Sequence, residues 1–81
     1  MKLIILSPEK PIFEGDVTSV KVPGSVGQFE ILNNHAALVS SLKAGEIRII
    51  DAAGARTTFA INSGFVEVLN NSVSIAVQGA N

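Results

Sequence analysis

Apolar and polar residues alternate with period two in three segments of this chain. One face carries Thr18, Val20 and Val22, or Ile47 and Ile49, or Val73, Ile75 and Val77; the opposite face carries Ser19 and Lys21, Glu46 and Arg48, or Ser74 and Ala76. Such alternation belongs to half-buried β-strands, whose successive side chains point to opposite faces of a sheet. Short apolar runs rich in β-branched or aromatic residues predict further strands at 3–6, 29–32, 57–61 and 65–69. Turn chemistry separates these segments at Gly15-Asp16, Pro23-Gly24, Lys43-Ala44-Gly45, Ala53-Gly54, Ser63-Gly64 and Asn70-Asn71. Each pair or triplet supplies residues that tolerate positive φ or pre-set a turn. Strands joined this closely pair mostly antiparallel, because a parallel crossover takes about a dozen residues or more.

The segment 36–42 fits two readings, two helical turns capped by Asn34 or a strand continuing past His35. Strand is favoured, because the segment is too short for an isolated helix and Val39-Ser40-Ser41 are poor helix formers. The predicted fold is all-β, a small two-sheet β-sandwich or flattened barrel of roughly eight to ten mostly antiparallel strands. No repeat, low-complexity segment or linker divides it.

Length and composition narrow the function. The 81 residues fit one domain, residues 1–81, with no cysteine to staple it, so packing alone must stabilise the fold. Charged residues are 16% of the chain and apolar residues 47%, a shortage of surface charge that points to a face covered by a partner. Six basic residues scattered singly in a chain of net charge −1 exclude a nucleic-acid footprint. The apolar start, Met1 to Leu6, is cut off by Ser7-Pro8-Glu9 before a signal sequence or membrane span could form, so the chain reads as soluble and unexported.

Catalytic parts are scarce. One histidine, no cysteine and no tyrosine leave His35 as the sole base for an acyl-transfer site, with no nucleophile elbow to serve it. Glu14 and Asp16 share a strand face but lack a third oxygen cluster for a cation. Gly24-Ser25-Val26-Gly27 lacks the lysine and helix of a phosphate loop and reads as a hairpin or bulge. A carrier module would present a modified lysine on a hairpin tip, whereas Lys21 lies within an alternating strand. His35, following the Asn33-Asn34 turn signal, reads first as a hydrogen-bonded structural residue beside the sheet edge, with an interface role open to it. No cofactor or metal is expected.

Several motifs follow one another in order: Ser7-Pro8-Glu9, Ile12-Phe13-Glu14-Gly15, Pro23-Gly24-Ser25 followed by Gly27, His35-Ala36 with Leu38, Gly45-Glu46-Ile47-Arg48-Ile49, and Gly64-Phe65-Val66-Glu67-Val68. From Leu3 to Val77 the series resembles the amino-terminal domain of the epsilon subunit of the rotary, F-type ATP synthase. No single piece is diagnostic; the series is.

The resemblance implies a β-sandwich at the foot of the central stalk. One face would bind the gamma subunit and the lower end would meet the polar loops of the membrane c-ring. The chain would then be a non-catalytic coupling subunit of a proton-translocating ATP synthase, peripheral on the cytoplasmic face of the bacterial plasma membrane, with no membrane insertion. By position, Val26, Gln28, Phe29, Glu30 and Leu32 correspond to the family's ring-contact region, with Gln28 and Glu30 as polar contacts, and His35 matches a histidine near the stalk interface.

The pattern departs from the family at Gln28, where relatives often have a carboxylate, at Asn33-Asn34 in place of Pro-Gly, and at Ala37 in place of proline. The sequence ends at Asn81, where many family members continue into a helical hairpin, so no small-molecule ligand of that hairpin is expected here. The alternative reading is an unrelated β-sandwich adaptor or carrier module.

Overall fold

A computed structural model describes residues 1–80. Its strands are β1 (Lys2–Leu6), β2 (Pro11–Gly24), β3 (Gly27–Leu32), β4 (Leu38–Leu42), β5 (Gly45–Asp51), β6 (Arg56–Ile61), β7 (Ser63–Leu69) and β8 (Ser72–Gln78). The fold is all-β, as the alternation predicts, and a flattened sandwich describes it. One layer runs from the first half of β2 through β1, β8 and β7 to β4. The other places the second half of β2 between β3 and β5, with β6 beyond β5. Among the described residues every pairing is antiparallel except β1 with β8. Those two strands lie at opposite ends of the described chain, so no short connection constrains their direction.

Both layers share β2, and here the sequence reading needs correction. Gly15-Asp16 is no turn: Gly15 pairs with Leu3 and Asp16 with Lys2, so the strand runs straight through. The change of layer comes next, where pairing with β5 shifts register between Val17 and Ser19. An irregularity of this kind bends the strand and resets which side chains face inward. Hence Val17 is buried and Thr18 exposed, against the expected grouping of Thr18 with Val20 and Val22, while Ser19 keeps the outward phase of Lys21 and is covered by Glu30 and Arg48.

Ser63-Gly64 is also not a turn. Only Asn62 separates β6 from β7, and Gly64 lies within the sheet between Val77 and Leu42. A Cβ there would sit 2.6 Å from the Ala76 carbonyl oxygen, so glycine serves a close backbone approach. In the segment 36–42 only Leu38–Leu42 is a strand. Asn34 adopts φ 64° and the His35 amide donates to Leu32 O at 3.2 Å, which closes a turn and leaves 35–37 as a loop.

Other turns follow their chemistry. Asn70 and Asn71 take φ 51° and 61°, the paired positive values that a tight two-residue hairpin requires. Asp51 Oδ1 accepts the amides of Ala53 and Ala55, both at 2.9 Å, and shapes the loop before β6.

The inward faces meet in a core of aliphatic side chains, chiefly valine and isoleucine, with Phe59 as its buried aromatic residue. Burying each aliphatic side chain contributes about 1.5–3 kcal/mol. A domain of this length has a net stability of about 4–12 kcal/mol, so no core position is spare. Ile47, fully buried on β5, illustrates this. Ile47→Ala is expected to cost about 2–5 kcal/mol in urea unfolding with an unchanged m-value; a loss under about 1 kcal/mol would contradict the packing described.

Candidate partner-binding surfaces

The β2–β3 hairpin turns at Ser25–Val26, closed by the Gly24–Gly27 pair. Val26 stands wholly in solvent at the tip. Beyond it, Gln28, Glu30 and Leu32 point outward while Phe29 and Ile31 turn toward the core. Phe29, among the expected contacts, is half-buried: its ring lies across Gly24, where a Cβ would come within 2.8 Å of a ring carbon. The missing side chain at Gly24 leaves room for this ring.

His35 falls beyond the other end of β3, about 20 Å along the strand from the tip. Its Nδ1 lies 2.8 Å from Ala36 O, which accepts when the imidazole is protonated there. The loop around it is fixed by neighbouring elements. The Met1 amine donates to Asn33 Oδ1 at 2.7 Å and the Asn34 amide to Asn71 Oδ1 at 2.8 Å. The sequence-predicted residues thus line one edge strand and its flanking loops and do not converge on a single point.

Glu30 is engaged within the chain. Its Oε2 accepts from Ser19 Oγ at 2.5 Å and from an Arg48 guanidinium nitrogen at 2.7 Å, and the same nitrogen donates to Ser19 Oγ at 3.2 Å. This triangle spans β3, β2 and β5. The Ser19 hydroxyl above all, and then the charges of Arg48 and Lys21, hold the Glu30 carboxyl below its ordinary value of 4.5 despite partial desolvation.

A second surface was not located from sequence. On the outer face of β1, β8, β7 and β4, the register aligns Leu6, Ala76, Phe65 and Ser41 in one row and Ile4, Ser74, Glu67 and Val39 in the next. Phe65 is 60% exposed, Val39 69% and Leu6 44%. Shallow grooves of about 610 and 370 Å³ flank Phe65. The exposed apolar residues here stand at outward phases of β1, β4 and β7, where the shortage of surface charge has its address.

The two surfaces are tied together. Ser25 and Ser41 hydroxyls meet at 2.7 Å, the Ser25 amide donates to Ser41 O at 3.0 Å, and the Lys43 amide donates to Pro23 O at 2.9 Å. Gly24 also pairs with Leu42. The hairpin tip is thereby braced against the end of β4, a strand of the apolar face. Among the described residues no group of three or more His, Cys, Asp or Glu side chains is placed to hold a metal ion.

An all-β sandwich with this strand order invites comparison with known proteins. The family described as ATP synthase, Delta/Epsilon chain, beta-sandwich domain matches residues 1–81. The chain belongs to this family. The ATP synthase epsilon chain of Sulfurovum sp. is 46% identical over 80 residues, covering 99% of this chain and 62% of that protein. The epsilon chain of Chlorobium limicola is 39% identical over 77 residues, covering 95% of this chain and 88% of that relative. A chain in the cryo-EM structure of Euglena gracilis mitochondrial ATP synthase, OSCP/F1/c-ring, superposes with a TM-score of 0.91 at 21% identity. That superposition covers 98% of this chain and 51% of the other, and shows a shared fold.

The Glu30 geometry carries a pH signature. A carboxyl held below its ordinary value adds stability above the unfolded-state pKa, and that contribution is lost as pH falls through the folded-state value. NMR titration is expected to give Glu30 a midpoint below 4.5, raised by Ser19→Ala and by Arg48→Met; a wild-type midpoint at or above 4.5 would contradict the triangle.

Proposed function

We propose that this chain is the sandwich domain of a non-catalytic central-stalk subunit that joins gamma to the c-ring of a proton-translocating ATP synthase. The observation that carries this reading is the family match along the whole chain. The chain spans 62% of the length of relatives such as the Sulfurovum protein, and the role is carried over from epsilon chains as a proposal.

The geometry supports a coupling body. A permanent interface commonly buries about 2,000 Å² and is poor in charge at its centre. The row of Leu6, Ala76 and Phe65, with Ile4 and Val39 beside it, has that character, and gamma is its proposed partner. The exposed tip, Val26 with Gln28, is the proposed ring contact; Leu32 and His35, farther along the same edge, complete that side. Phe29 supports the hairpin from within. The brace between Ser25 and Ser41 joins the two surfaces, so torque received at one reaches the other without passing through a hinge.

Among the described residues no helix is long and apolar enough to cross a membrane. A peripheral position on the cytoplasmic side of the bacterial plasma membrane, reached through gamma and the ring, completes the proposal. Coupling of this kind asks for rigidity and two docking faces, and no chemistry of the chain's own.

Titration against the host's gamma subunit by calorimetry is expected to show tight binding with a negative heat-capacity change, the mark of apolar burial. Phe65→Asp, on an exposed side chain, is expected to weaken that binding about 30-fold or more while leaving the melting temperature nearly unchanged. Wild-type protein that fails to bind gamma at micromolar concentration would overturn the reading.

A further inference from the structure

We propose that Ser19, Glu30 and Arg48 form a positioning device that holds the exposed hairpin at a fixed angle, with Glu30 acting through Arg48 and not as a contact to the partner. The inference rests on the rotor reading for its consequence, since the hairpin is there the ring-facing element.

The need for such a device follows from the strand's position. Among the described residues β3 pairs with β2 alone. Pro23 has no amide hydrogen, so its pair with Gln28 is a non-hydrogen-bonded one, and alternation gives the same status to Lys21 with Glu30 and Ser19 with Leu32. Main-chain bonds to β2 therefore fall to Gly27, Phe29 and Ile31, while Gln28 and Glu30 turn their backbone groups to the open edge and Leu32 O accepts the His35 amide. A strand held along one side is free to change its twist relative to the sheet.

The side-chain triangle supplies what the backbone lacks. Glu30 bypasses Lys21, its direct cross-strand neighbour, and reaches over β2 to Arg48 on β5. The guanidinium donates from one nitrogen to both Glu30 and Ser19, and Ser19 closes the third side. Ser19 is 4% exposed because Glu30 and Arg48 close over it on the outer face, so the pivot of the triangle is shielded from water. A planar guanidinium holds direction in a way that the point charge of lysine does not.

The arrangement costs something: Arg48 Nε is buried without a partner among the described residues. Three strands are thus cross-linked at Glu30, about 13 Å along β3 from the Val26 tip. The Ser25–Ser41 contact fixes the tip itself. Together they hold the hairpin at both ends of its lever.

The test compares Glu30→Gln, Arg48→Met and the double variant in the host's assembled ATP synthase, in inverted membrane vesicles. The readout is proton pumping per ATP hydrolysed. Both single variants are expected to lower this ratio by the same factor, and the double variant to lower it no further. Loss in Glu30→Gln without loss in Arg48→Met would make Glu30 a direct ring contact and overturn the proposal, as would no loss in either.

Hydrogen exchange on the free protein provides a readout independent of assembly. Faster exchange confined to the β2–β3 ladder is expected in both single variants, at the Gly27, Phe29 and Ile31 amides and at the Val20 and Val22 amides that donate back to Ile31 and Phe29, with the amides of β7 and β8 unchanged. Unchanged exchange at those amides would show that the triangle does not hold β3, whatever the vesicles report. If the wild-type chain is missing from the assembled complex, the rotor reading fails, and exchange alone still decides whether the triangle holds the strand.

Discussion

Everything in this domain hangs on the pairing of one long strand. β2, Pro11–Gly24, is hydrogen-bonded to β1 in its first half, to β3 and β5 in its second, and to β4 at its last residue. The same backbone therefore belongs to both sheets. A sandwich whose layers met only through side chains would shear when its two faces were loaded in different directions. Here the covalent chain crosses from one layer to the other, and the register shift between Val17 and Ser19 lets it cross without breaking either ladder.

That constraint explains how so small a core suffices. The buried side chains are mostly valine and isoleucine, stiff at χ1 and suited to a pleated surface. They interlock two sheets that the backbone already holds together. The outer faces are then released from stabilising the fold, and they differ: the face of β3, β2 and β5 carries Glu30, Lys21 and Arg48, while that of β1, β8, β7 and β4 carries Leu6, Phe65 and Val39. One is set by internal ion pairing, the other left apolar. The proposed pair of partners, gamma and the ring, has use for that difference.

How much of this was legible in the sequence varied with the range of the interaction. Alternation in β5 and β8 was plain, because Ile47 and Ile49, and Val73, Ile75 and Val77, stay in phase with a single buried face. The Asn70-Asn71 hairpin was plain for a local reason, two side chains that tolerate positive φ. Gly15 and Gly64 misled because glycine permits a turn and a close approach equally, and only the partner strand tells them apart.

The bulge in β2 was invisible, since it is set by pairing with β5 some 30 residues away. The Glu30–Arg48 pair was equally hidden, because nothing near Glu30 in sequence announces Arg48. The apolar face escaped for the opposite reason: an apolar residue at an outward phase looks like any strand residue until the inward set is known. What the composition did convey, a shortage of charge, was true of the surface as a whole without saying where.

Native-state hydrogen exchange tests most directly whether the two faces form one body. The Ser25 amide, bonded to Ser41 O, and the Lys43 amide, bonded to Pro23 O, tie the hairpin tip to the opposite layer. They are predicted to exchange through the same global opening as the most protected core amides of β7 and β8, with equal denaturant dependence. If Ser25 and Lys43 instead exchange through a separate opening of much lower free energy, the tip moves independently and the coupling path described here does not exist.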